Sequence, residues 1–201
     1  MTPSPSTPAV GGLLLFPGAG TSADHPALVA IEQAVVQAPG PSGEPLPVVR
    51  ADFPYRRAGR RAPDRPPKLV ASVRDEAATL AGSADIAPAA LALGGRSMGG
   101  RMCSMAVAEG LPAAALVLIA YPLHPPGRPH KLRVDHFPSI GVPCLFVSGT
   151  RDPFGTPDEL EGHTASIAGG VTHVWVDGGR HELRGADEHV AATVRDWLGS
   201  V

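Results

Sequence analysis

Six short apolar runs divide this chain, and stretches of helical period lie between most of them. The runs are residues 11–16, 46–53, 90–93, 113–120, 143–148 and 171–176. Each has the length of a strand. The run at 113–120 is apolar throughout, as a strand covered on both faces of a parallel sheet must be. Between the runs, Leu28, Ile31 and Val35 follow a helix start at Pro26, and Leu69, Val73, Ala77 and Leu80 share one helical face. Residues 98–109 read as a helix of small residues and methionines. Val190, Val194, Trp197 and Leu198 form the inner face of a last helix. Alternation of this kind implies parallel strands joined by crossover helices that cover both faces. The expected architecture is α/β, with three layers and a mostly parallel sheet of about six strands. A single domain over residues 11–201 would follow a loose N-terminal stretch at 1–10, with a loop at 39–43.

Composition excludes several functions. Lys plus Arg is 17 against 19 for Asp plus Glu, so no global basic charge points to nucleic acid or an anionic membrane. Residues 1–7 carry no Lys or Arg, and no run approaches the roughly 18 apolar residues of a membrane span. A soluble, cytoplasmic protein is expected. Cys103 and Cys144 are too few for a disulfide scaffold and lack metal-ligand spacing. His124, His130 and His136 are spaced six and six apart with only Asp135 beside them, a poor metal set. No metal or organic cofactor is expected.

In parallel sheets chemistry collects beyond the carboxyl ends of the strands. One such end reads Gly95-Arg96-Ser97-Met98-Gly99, the G-x-S-x-G pattern of a nucleophile elbow. A serine on so sharp a strand-to-helix turn has a strained backbone, and glycines two residues to either side remove the clash between chain segments. Asp152 follows the run at 143–148, and His181 follows the run at 171–176 through a glycine-containing loop. Alone, Asp152 would read as a turn aspartate before Pro153 and His181 as a surface histidine. Together the three lie at strand ends, in an order that suits a nucleophile, an orienting acid and a base. His181 would take the Ser97 proton, and Asp152 would hold and stabilise the imidazolium. The oxyanion donors expected are the N–H of Met98, after the nucleophile, and that of Ala19 in the glycine turn after the first strand.

The chain resembles an α/β-hydrolase family related to dienelactone hydrolases and to the hydrolase-like testis-expressed and NSL-complex proteins of animals. The matching segments are Pro17-Gly-Ala-Gly, Asp24-His25-Pro26, Phe53-Pro54-Tyr55, Gly59-Arg60-Arg61-Ala-Pro63-Asp64-Arg65, Gly94-Gly-Arg-Ser-Met-Gly-Gly-Arg101, Tyr121-Pro-Leu-His-Pro-Pro-Gly127, Leu132-Arg133 and Gly149-Thr-Arg-Asp-Pro-Phe-Gly155. The resemblance implies the three-layer α/β-hydrolase fold and the order Ser97, Asp152, His181. The two strands that usually open the full hydrolase sheet have no room before Gly11, so a sheet trimmed at the N-terminus and lacking a cap domain is expected.

Residues 50–74 hold eight of the 17 basic residues against Asp52 and Asp64 alone. One reading is attraction of an anionic substrate; the other is arginines paired with Asp52, Asp64 and Asp75 to anchor long loops. The residues expected to meet substrate are Gly18, Gly20, Arg60, Arg61, Tyr121 and His124, all on segments that follow strand ends. The activity expected is hydrolysis of an ester or thioester of a small molecule, anionic on the first of these readings, through an acyl-enzyme on Ser97. The alternatives are a scaffold that keeps the fold without turnover, with the basic loops as its binding surface, and an acyl transferase. A homodimer that partly covers the exposed elbow is left open.

Overall fold

A computed structural model describes residues 9–38 and 43–201. Residues 1–8 of the expected loose start and 39–42 of the expected loop lie outside the described residues. The strands are β1 (Gly12–Phe16), β2 (Val48–Arg50), β3 (Leu91–Arg96), β4 (Ala115–Ile119), β5 (Cys144–Gly149) and β6 (Val171–Val176). The main helices are α1 (Pro26–Val36), α2 (Pro54–Arg57), α3 (Pro66–Ser83), α4 (Met98–Ala108), α5 (Pro157–Thr164) and α6 (Asp187–Leu198). All six strands pair in parallel, in the order β2-β1-β3-β4-β5-β6. The expected sheet is thus found, parallel throughout, and no cap domain interrupts it among the described residues. Among the described residues, no helix is long and apolar enough to cross a membrane.

Strand periodicity divides the core between the two faces. Leu14, Phe16, Leu93 and Leu118 point to one side, where they meet α3, α4 and α5; Leu13, Leu15, Val117 and Val147 point to the other, against α1 and α6. Aromatic packing is concentrated on the first face, where Phe16 stacks on Phe53 at 4.7 Å and Phe137 meets Tyr121 at 5.3 Å. The expected core faces of α1, α3 and α6 are buried, with Trp197 as the exception. It is only partly buried, and its indole N–H donates to Thr172 Oγ1.

Two of the differences from the sequence reading have a plain local cause. The second strand was expected over 46–53, but only Val48–Arg50 pairs. Pro47 supplies no N–H, β1 offers only a short partner, and Phe53 already caps α2. Helix α5 was not anticipated. Its signal is local: the Thr156 hydroxyl accepts from the Glu159 N–H, while the Glu159 carboxylate accepts from the Thr156 N–H, a capping box opened by Pro157.

The strand order places the future site. From β1 the chain goes outward on one side to β2, and from β3 onward it builds on the other side. The carboxyl ends of β1 and β3 therefore lie together where the winding reverses, and the connecting chain diverges above them to leave a crevice.

Behind that crevice, Ser104 Oγ donates to the Arg101 carbonyl at 2.9 Å, so the His136 Nε2 2.8 Å away must carry the proton it gives to Ser104. Burial, and then the Arg101 cation, push His136 down to about 4. An unfolded histidine titrates near 6.5, so below that pH the unfolded chain binds more protons than the folded one. Stability conferred by the neutral ring is lost as pH falls from about 6.5 toward about 4. His136→Gln is expected to remove about 2 kcal/mol of that pH dependence, after discounting for partial exposure. Urea unfolding of both proteins across this range measures it.

Candidate active site

Ser97 is the hinge between β3 and α4. Its backbone sits at φ 51°, ψ −115°, a conformation that costs a non-glycine residue on the order of 1–3 kcal/mol. Its own N–H is held by the Ile119 carbonyl at 2.8 Å, which fixes the turn to the neighbouring strand. The two glycines of the motif are required by contact. A Cβ at Gly95 would run into the Phe16 carbonyl, and one at Gly99 would meet the carbonyls of Phe16 and Pro17. Phe16 is the register partner of Gly95, so β1 and the start of α4 are packed backbone to backbone. Gly99→Ala is expected to destabilise the fold by about 2–4 kcal/mol, read as a lower urea midpoint with an unchanged slope.

Around Ser97 the structure brings together the other two predicted residues. His181 Nε2 lies 2.9 Å from Ser97 Oγ, and His181 Nδ1 lies 2.8 Å from Asp152 Oδ2. His181 and Asp152 are 8% and 3% exposed, so both work away from bulk water. The second Asp152 oxygen accepts from the Phe154 N–H at 2.8 Å. An ionised carboxylate can only accept, so Nδ1 carries the ring proton and Nε2 offers its lone pair to the Ser97 hydroxyl.

Three further contacts hold the histidine. The Phe154 ring stacks on the imidazole at a centroid distance of 3.9 Å. The buried Arg96 guanidinium donates to the His181 carbonyl at 2.7 Å. The acid-bearing and histidine-bearing loops are themselves joined: Arg151 N–H donates to Gly179 O and Gly178 N–H to Thr150 Oγ1. Burial lowers the Arg96 pKa, against the favourable charges of Glu182, Asp152 and Asp187.

A cleft of about 520 Å³ opens over the serine. It is lined by Gly18, Ala19, Gly20, Thr21, Arg96, Ser97, Met98, Arg101, Pro122, Arg133, Phe154, His181 and Glu182. Tyr55 Oη donates to the Ala19 carbonyl at 2.7 Å and pins the glycine turn. Among the described residues, neither the Met98 nor the Ala19 N–H has a hydrogen-bond partner.

A scan of the sequence finds the alpha/beta hydrolase domain over residues 10–196. The chain belongs to the alpha/beta hydrolase domain family. Solved structures similar to this hydrolase include dienelactone hydrolase from Anabaena variabilis, 19% identical with a TM-score of 0.72 over 94% of this chain and 86% of that one. Est1E from Butyrivibrio proteoclasticus is 14% identical with a TM-score of 0.72 over 95% and 88% of the two chains. The esterase domain from a Rhodothermus marinus protein is 17% identical with a TM-score of 0.67 over 97% and 87%. At such identities these neighbours establish the shared fold.

Four residues expected to meet substrate do not line the cleft. Arg60 is spread on the surface, its guanidinium paired with both Asp64 oxygens at 3.0 and 2.9 Å, and Arg61 is exposed beside it. Tyr121 is fully buried, its hydroxyl donating to the Arg133 carbonyl. His124 is turned to the Pro125 carbonyl and Glu159. Gly18 and Gly20 do line it. The basic loop follows the anchoring reading in part: Arg60 and Lys68 pair with Asp64 as expected, but Arg50 pairs with Glu32 and Asp24, Arg57 with Glu76, and Arg74 with Glu109, while Asp52 accepts from the Ala23 N–H. Phe154 was not foreseen; an aromatic two residues after the acid was its only signal. The thiols of Cys103 and Cys144 are buried in the core and shifted upward by burial, that of Cys144 to about 12, so neither is a nucleophile here.

Proposed function

We propose that Ser97, His181 and Asp152 act as a catalytic triad, and that this hydrolase cleaves an ester or thioester of a small molecule through an acyl-enzyme. The observation that carries the reading is the unbroken relay from the Ser97 hydroxyl to His181 to Asp152, with hydrogen bonds of 2.9 and 2.8 Å at the floor of an open cleft.

The chemistry follows from the proton positions. As Ser97 Oγ attacks the substrate carbonyl, its proton passes to His181 Nε2, and the imidazolium is stabilised by Asp152. The carbonyl oxygen gains the negative charge. Met98 N–H at the start of α4 and Ala19 N–H are free to receive it, aided by the positive end of the helix. Each such donor is worth about 3–4 kcal/mol in the transition state. When the tetrahedral intermediate collapses, His181 returns the proton to the departing alkoxide or thiolate. A water, deprotonated by the same nitrogen, then releases the acid and regenerates Ser97. The Arg96 bond to the His181 carbonyl and the Phe154 ring keep the imidazole on this line. A cleft of about 520 Å³ suits a small ligand.

A fluorophosphonate probe tests the reading. Wild type should label; Ser97→Ala should not, and His181→Ala should label far more slowly. Turnover of 4-nitrophenyl butyrate should fall at least about 10⁴-fold in Ser97→Ala. Absence of labelling from pH 6 to 9 would leave a hydrolase fold used as a scaffold. A preference for alcohol or amine over water as acceptor would make the protein a transferase.

A further inference from the structure

The cleft carries positive charge that the proposed chemistry does not use. Arg96, Arg101 and Arg133 line it, against the single carboxylate of Glu182. Arg96 is accounted for, since it holds the His181 carbonyl and has Glu182, Asp152 and Asp187 in its field. The other two have no acidic partner among the described residues, the Arg101 side chain meeting only the neutral Tyr121 hydroxyl. Among the described residues, neither Arg101 nor Arg133 lies within ion-pair distance of a carboxylate; the other arginines without an ion pair, Arg96 apart, lie outside this cleft. The Arg101 Nε is buried without a hydrogen-bond partner. Arg133 reaches only the Pro122 carbonyl, at 3.5 Å. The two cations also repel: burial first, and then Arg101, lower the Arg133 pKa.

Two like charges, partly removed from water and left without counter-ions, cost stability unless something compensates them. The main chain that carries them is nevertheless fixed. Ser104 Oγ donates to the Arg101 carbonyl at 2.9 Å and Tyr121 Oη to the Arg133 carbonyl at 2.8 Å. Arg101 N–H bonds the Ser97 carbonyl, so Arg101 stands one helical turn beyond the serine, on the same face of α4. Guanidinium pairs of this kind match a planar oxyanion, which each fork can take in two parallel hydrogen bonds.

We propose that Arg101 and Arg133 form a subsite for a carboxylate carried by the substrate, so that this hydrolase selects monoanionic esters or thioesters whose carboxylate lies a short chain from the scissile carbonyl. The proposal rests on the serine-hydrolase reading and specifies its substrate class. The subsite arises from α4 and the segment after β4, whereas five of the eight basic residues at 50–74 pair with Asp24, Glu32, Asp64, Glu76 or Glu109 and none of the eight lines the cleft.

Two matched pairs of esters test it, one for each side of the scissile bond. On the acyl side, mono(4-nitrophenyl) adipate is compared with 4-nitrophenyl hexanoate; on the leaving-group side, 4-acetoxybenzoate is compared with its methyl ester. In at least one pair the anion should be preferred in kcat/KM by about tenfold to a hundredfold at low salt, with the preference shrinking as salt rises. Arg101→Gln and Arg133→Gln should each reduce that preference about tenfold, mainly through KM, while Arg101→Lys should retain part of it. The wild-type ratios and their salt dependence decide the matter even if a variant folds poorly. Equal, salt-insensitive rates within both pairs would overturn the subsite and leave the hydrolase reading standing. Failure to cleave any of the four esters, with no fluorophosphonate labelling, would remove both. Competitive inhibition of hexanoate cleavage by inorganic phosphate but not by adipate would overturn the carboxylate assignment in favour of a phosphate.

Discussion

The close approach of two backbones at the head of the sheet governs the rest of this molecule. Phe16 in β1 and Gly95 in β3 are register partners, and the start of α4 rests on the carbonyls of Phe16 and Pro17. No side chain fits between them. That contact forces the chain to leave β3 through a single strained residue, and the residue so placed is Ser97. Strain at φ 51° persists only where neighbouring structure over-determines it. Here β4 contributes the Ile119 carbonyl that locks the Ser97 amide, and β1 contributes the wall. The same contact leaves the Pro17–Gly20 turn facing the elbow across the crevice, with Tyr55 pinning it from α2.

The histidine reaches the serine by a different logic. It comes from beyond β6, the outer edge of the sheet, with two strands between it and β3. A loop over that span would be mobile if left alone. It is held at its carbonyl by Arg96, on its ring face by Phe154 and at Nδ1 by Asp152, while the loops after β5 and β6 are hydrogen-bonded to each other. The residue that anchors the histidine is therefore the immediate neighbour of the serine. Ser97 and His181 are joined twice, once through their side chains and once through Arg96, so strain at the elbow and the position of the imidazole are parts of one arrangement.

The sequence made the elbow legible because its requirements are steric and local: glycines at fixed offsets between an apolar run and a helical period. The sheet was legible for the same reason, since strands buried on both faces leave unbroken apolar runs. Strand β2 was over-extended because an edge strand is bounded by what its neighbour offers, which no local pattern records. Counting charge along the chain drew attention to residues 50–74, but a dense basic stretch mostly marks an exposed loop with acids within reach, as Arg60 and Asp64 demonstrate. Of the arginines that line the cleft, Arg96 and Arg101 flank Ser97 while Arg133 belongs to a later loop beside Arg128 and Lys131, so they meet only through the fold. Tyr121 and His124 sat at a strand end as expected, yet chain position says nothing about which way a side chain turns. Both turn inward to fix the loop that carries Arg133.

Where the protein tolerates unfavourable physics indicates where selection acts. Elsewhere several surface arginines close ion pairs, and the aromatic core is packed ring against ring. The departures gather at one place. A non-glycine residue in a strained turn, a buried guanidinium spent on a backbone carbonyl, an unpartnered Arg101 Nε and two backbone N–H groups without acceptors all surround the same crevice. Each lowers the stability of the protein, and under the proposed chemistry each has a use: an exposed hydroxyl, a fixed base, a cation for the proposed carboxylate and N–H donors for an oxyanion. An inert scaffold gains nothing from keeping these costs together. Their convergence at the point where the sheet reverses its winding is the argument for catalysis, independent of any likeness to other proteins.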